Sequence, residues 1–75
     1  MPKLPRISAQ KALAALQKLG FVQVRQKGSH VILKLETSEK TVGCVIPMHH
    51  ELAAGTLRGI LRQAHVTVEK FIEVL

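Results

Sequence analysis

The sequence has no tryptophan and no tyrosine, a single cysteine, and only Phe21 and Phe71 as carbocyclic aromatic residues. Each shortage excludes something. One thiol cannot form a disulfide within the chain. Cys44, lying in the apolar Val42–Ile46 stretch, therefore reads as a small buried hydrophobe compatible with a reducing compartment. With so few rings, the core has to be aliphatic, built from Leu, Ile, Val and Ala. No apolar run approaches the ~20 residues that span a bilayer. The opening MPKLPRIS lacks the apolar stretch of a secretory signal. The expected location is the cytoplasm, with no membrane partner.

Acidic residues are scarce as well. Five stand against 11 Lys and Arg, a net charge of +6 over 75 residues. A chain this short is expected to form one domain, 1–75, that buries roughly 60% of its unfolded surface. So much positive charge on so small a surface favours a polyanion, nucleic acid ahead of an acidic protein. The basic residues are not gathered in one tail. Lys3 and Arg6 come first, then Arg25, Lys27 and Lys34, then Arg58 and Arg62. That spacing suits a folded binding surface.

Periodicity gives the elements. Residues 1–7, with Pro2 and Pro5, read as an extended lead-in. Ser8 is an N-cap, and Ala9, Ala12, Leu13, Leu16 and Leu19 recur at helical spacing up to Gly20, a C-cap. FVQVRQ alternates, with Val22 and Val24 on one face and Gln23 and Arg25 on the other. Gly28-Ser29 makes a hairpin connection. In HVILKL, Val31, Leu33 and Leu35 point one way and His30, Ile32 and Lys34 the other. ETSEK is a second turn. TVGCVI sets Val42, Cys44 and Ile46 toward the core, and Pro47 ends the strand. A loop, PMHHELAA, leads to a second helix opened by Gly55 and Thr56, with Leu57, Ile60, Leu61 and Ala64 as its buried stripe. Thr67 caps a last short helix in which Phe71, Ile72 and Leu75 face inward. The expected fold is α+β, in the order α-β-β-β-α-α. A three-stranded antiparallel sheet carries its helices on one face and leaves Arg25, His30 and Lys34 on the other.

His30 on that open face has two readings. It can cap a turn, or it can be a general acid or base beside cations that hold a phosphodiester. RNA suits the second, because its own 2′-hydroxyl can attack the adjacent phosphate once deprotonated. The run His50-Glu51 fails the H-E-x-x-H zinc pattern, since Ala54 stands at the fifth position. His30, His49, His50 and His65 lack ligand spacing, so no metal and no cofactor is expected. His49 or His50 is either a surface residue or the acid that protonates a leaving 5′-oxygen. Free N–H groups at Gly55-Thr56 can receive a phosphate, and Arg58 and Arg62 lie one turn apart for tracking a backbone. Gly59, costly inside a helix, suggests that another molecule approaches there.

Four segments follow one another in order: Lys18-Leu19-Gly20-Phe21, Lys27-Gly28-Ser29-His30, Pro47-x-His49 and Gly55-Thr56-Leu57-Arg58-x-Ile60-Leu61. Together they make the chain, from about Ile7 to Leu75, resemble the HicA toxins (the YcfA-like family) of HicA/HicB toxin–antitoxin pairs. The resemblance implies a double-stranded-RNA-binding-domain-like fold and a metal-independent endoribonuclease that cuts mRNA. It also implies a HicB-like antitoxin that covers the active site. The family's catalytic histidine corresponds to His30. Ser29 beside it and His49 after the strand-ending proline are candidate auxiliary residues. Arg25, Lys27, Gly28, Lys34, Thr56, Arg58 and Arg62 are the expected RNA contacts, and the toxin alone is expected to be a monomer. Two positions depart from the pattern: Val31 follows the G-S-H segment, and His65 ends the second helix where glycine is common. The rival reading is a non-catalytic RNA-binding or partner-docking module of the same fold.

Overall fold

Ser8 starts the first helix as its side chain predicts, its hydroxyl accepting the Lys11 N–H at 3.2 Å. The computed structural model describes residues 3–75, and Met1 and Pro2 of the lead-in lie outside them. The elements are α1 (Ala9–Lys18), β1 (Val22–Lys27), β2 (His30–Glu36), β3 (Thr41–Pro47), α2 (Ala54–Ala64) and α3 (Val68–Glu73). The sheet is antiparallel with order β1-β2-β3. The helices pack mainly on β3, α2 more extensively than α1. This is the expected double-stranded-RNA-binding-domain-like arrangement.

Both longer helices stop by the same device. At the end of α1, Gly20 N–H bonds to Gln17 C=O and Phe21 N–H to Leu16 C=O, with Gly20 at φ +102°. At the end of α2, His65 N–H bonds to Arg62 C=O and Val66 N–H to Leu61 C=O. Each pair is a Schellman motif, which requires a left-handed residue just past the helix. His65 takes that role at φ +58°. It does so without glycine's freedom, and its Nδ1 lies 3.3 Å from Lys40 Nζ in the β2–β3 turn. The junction keeps the shape that glycine would give it.

Val31, Leu33, Cys44, Ile46, Leu57, Ile60, Leu61 and Ala64 are buried together with Ala9, Ala12, Ala15 and Leu16 of α1. Alternation and helical spacing thus identify most of the core. Three residues outside the elements join it: Leu4 before α1, Phe21 between α1 and β1, and Leu52 between β3 and α2. Leu52 is tied down through its N–H to Ile7 C=O at 2.8 Å.

Two expectations fail. Val22 and Val24 are not core residues; they are 61% and 52% exposed. A register shift between Gln23 and Arg25 is the cause. A bulge adds one residue to β1, so Val22 pairs with Lys34 on the outer face and Gln23 with Leu33 on the inner one. In α3 the residue that goes fully inward is Phe71. Ile72 is half-buried and Leu75 is exposed, because the helix ends at Glu73 before Leu75 can reach the core.

A left-handed non-glycine residue costs roughly 1–2 kcal/mol. His65→Gly is therefore expected to raise unfolding free energy by about 1 kcal/mol, read as a higher urea midpoint at unchanged slope. Burial pushes the Cys44 thiol up to about 11, which keeps it protonated and unreactive near neutrality. A thiol reagent should label the native chain far more slowly than the urea-unfolded one. Equal rates would contradict the packing of β3.

Candidate functional site

The site begins with a turn. Gly28 and Ser29 alone join β1 to β2, and Gly28 takes φ +60° while Ser29 stays at negative φ. Positive φ at the first central position only is the pattern of a type II′ hairpin, which favours glycine there. The turn makes Lys27 and His30 directly opposed residues. Gln26 Nε2 donates to Gly28 C=O at 3.2 Å, and Met48 N–H donates to Ser29 C=O at 2.7 Å. The hairpin is thereby held from both sides.

Directly opposed residues in a sheet share a face. The outer face therefore has rows that can be read off the register. Lys27, His30 and Pro47 form the first; Arg25, Ile32 and Val45 the second; Val22, Lys34 and Gly43 the third. Neighbours within a row stand about 5 Å apart, and successive rows about 7 Å apart. Lys27 is thus adjacent to His30 and Arg25 is one row away. Lys34 is two rows along, about 13 Å from His30 down the same strand. His30, Lys27, Arg25 and Lys34 are all exposed.

His49 arrives from the other strand. Pro47 is the β3 partner of His30, and His49 follows it by two residues, its N–H bonded to Pro47 C=O at 2.8 Å. Its own carbonyl accepts the Ala9 N–H of α1 at 3.0 Å. The backbone around His49 is thus fixed to the start of α1, and its exposed ring lines a hollow with Ser8, Gln10, Met48 and His50. Nearby, Glu51 faces Arg6 at 3.7 Å across solvent, a pair that contributes little to stability.

Thr56, Arg58 and Arg62 lie elsewhere, as exposed residues of α2. Arg58 and Arg62 line a shallow hollow with Leu61, Val66, Thr67 and Val68 where α2 meets α3. The start of α2 has no side-chain cap and no acidic residue in its first turn. Among the described residues no group of three or more His, Cys, Asp or Glu is placed to hold a metal ion. Four surface hollows are lined by residues other than His30. An open face with one histidine and three cations fits a chain-like anion better than a small molecule enclosed in a cleft.

The family model described as the HicA toxin of bacterial toxin–antitoxin systems matches residues 9–66. The chain belongs to the HicA toxin family. No curated protein matches it. The matched span runs from the first residue of α1 to just past the Schellman turn of α2, so the whole sheet, α1 and α2 fall within it and α3 lies beyond. As a HicA-family chain it is the toxin of a toxin–antitoxin pair, and a cognate antitoxin is its implied partner. No helix among the described residues is long and apolar enough to cross a membrane.

Sequence reasoning did not find the contributions of Pro47 and Met48. Pro47 borders His30 and Met48 clamps the turn through its backbone, neither of which leaves a side-chain signal. Gly59 is clearer. A Cβ placed there would meet nothing within 4 Å, so packing does not demand glycine. Gly59→Ala should stabilise the HicA-family fold by up to ~1 kcal/mol in urea unfolding. If another molecule approaches that backbone, the same variant should weaken RNA or antitoxin binding. Unchanged binding and unchanged growth arrest would sink that idea.

Proposed function

We propose that this toxin is a metal-independent endoribonuclease that cleaves mRNA, with His30 as its general acid/base. The observation that carries the reading is the closing pair of the β1–β2 hairpin: an exposed imidazole directly opposite an exposed lysine, with Arg25 in the next row. Such a group can work on a phosphodiester without help from a cleft. His30 takes the proton of a ribose 2′-hydroxyl. The 2′-oxygen bonds to the adjacent phosphorus as the bond from phosphorus to the 5′-oxygen breaks. The 5′-oxygen leaves with a proton donated by an acid, giving a 2′,3′-cyclic phosphate and a 5′-hydroxyl. His49, anchored beyond Pro47, is the candidate for that donation, and Ser29 is the nearest hydroxyl in sequence to the base.

Lys27 and Arg25 neutralise charge that builds on the phosphoryl oxygens. Lys34 and the backbone at Gly28 extend the contact along the sheet, and Thr56, Arg58 and Arg62 on α2 contact a separate stretch of the RNA. Two phenylalanines, both buried, leave no aromatic platform for stacking bases. Recognition through backbone and shape follows from that.

Wild-type toxin is expected to cleave RNA in the presence of EDTA and to arrest growth when expressed alone. His30→Ala should lose about 10²- to 10⁴-fold in cleavage rate. Its urea midpoint should not move, because His30 is exposed, and its RNA affinity should be retained. Undiminished cleavage by a clean His30→Ala preparation would overturn the mechanism. Loss of RNA binding along with activity would instead make His30 a contact residue.

A further inference from the structure

The two edges of the sheet differ. At β3, α2 lies alongside, and the Gln63 side-chain carbonyl accepts the Val45 N–H at 3.1 Å. At β1 there is no counterpart. The strand pairs with β2 alone, no helix packs extensively against it, and all six of its residues are exposed. Val22 and Val24 are the most exposed large hydrophobic residues among those described. A strand edge with free N–H and C=O groups and apolar side chains is a template for another strand.

Charge selects which strand. β1 carries Arg25 and Lys27 and no acidic residue. Both lie on the outer face, two residues apart, with Lys34 on the same face of β2. A second copy of the chain would bring another net charge of +6 to the contact. The bulge at Val24 also breaks the regular edge that two copies would have to share. An acidic strand is not opposed by that charge, and it can pair with the regular stretch from Arg25 to Lys27 beyond the bulge. Carboxylates at alternate positions of such a strand would stand across from Arg25 and Lys27 together.

We propose that the free edge of β1 is a docking strand for an extended acidic segment of a partner protein. The partner segment carries acids at alternate positions opposite Arg25 and Lys27, and an apolar residue where it passes Val22. Seated there, it would neutralise the two cations nearest His30 without touching the histidine. The inference stands apart from the ribonuclease reading, because an inactive chain would offer the same edge.

The test is an NMR titration of the full chain with a blocked octapeptide of alternating Glu and Val. A Lys/Val peptide and a Glu/Val peptide N-methylated at alternate amides serve as controls. Shifts and slowed amide exchange are expected over Val22–Lys27 with the Glu/Val peptide alone. Arg25→Gln and Lys27→Gln should each weaken its binding about 2- to 5-fold, and both residues are exposed, so the fold should survive. Silence at β1, an equal response to the Lys/Val peptide, or indifference to N-methylation would overturn the proposal. So would concentration-dependent β1 shifts without peptide, which would signal pairing of two copies. A short RNA that perturbs β1 where the Glu/Val peptide does not would assign the edge to nucleic acid instead.

Discussion

The register imposed by the two-residue Gly28-Ser29 turn is the constraint on which the outer face depends. Side chains in a strand alternate, so a slip of one residue would exchange the two faces of β2. Val31 and Leu33 would then meet solvent, and His30 and Lys34 would be driven into an aliphatic core. The turn prevents this by closing on Lys27 and His30, with a backbone shape that glycine adopts at its first central position. A second clamp comes from β3, where Pro47 faces His30 and Met48 holds Ser29 by its carbonyl. Burial of the inner face and presentation of the outer one are therefore a single event. The histidine stands out because the valine beside it goes in.

The core behind this face is small and almost wholly aliphatic. Helix α1 contributes Ala9, Ala12 and Ala15 with one large residue, Leu16, and small side chains of that kind let a helix approach a sheet closely. Leu4, Leu52 and Phe71 complete the packing from loops and from α3. No polar or charged residue among those described is buried. All the basic side chains of the described residues are consequently available at the surface, so a net charge of +6 can act outward without a buried ion pair to stabilise.

Regular elements were legible in the sequence because each has a period. Ser8 to Gly20, the outward direction of His30 and the buried stripe of α2 follow from spacing alone. β1 was not legible in the same way. Strict alternation counted back from Lys27 sends Val24 and Val22 inward; the one-residue bulge reverses that phase, and nothing in Val-Gln-Val-Arg announces it. Leu4 and Leu52 were missed because loops have no period, and the ends of α3 were misjudged because six residues are too few to define a face. At the site, alternation located His30 on the open surface but could not say whether it was chemically active. The ordered Gly-Ser-His and Gly-Thr-Leu-Arg segments carried the family assignment, and the match over residues 9–66 bears it out. Arg58 and Arg62 are expected to track a backbone because they lie one turn apart on a helix, and the fold sets them in a hollow of their own between α2 and α3.

Gln63 has a consequence for assembly. By accepting the Val45 N–H, the Gln63 side chain takes up one backbone donor of β3, the strand against which α2 packs. Open-ended stacking of sheets needs two complementary edges on every unit, so that each arrival presents a fresh edge to the next. Here one of those two edges already has a backbone donor engaged from within the chain, which makes β3 a less regular partner for another strand. A chain with Val45 already engaged and a net charge of +6 is a poorer unit for stacking on itself than one with two bare, neutral edges.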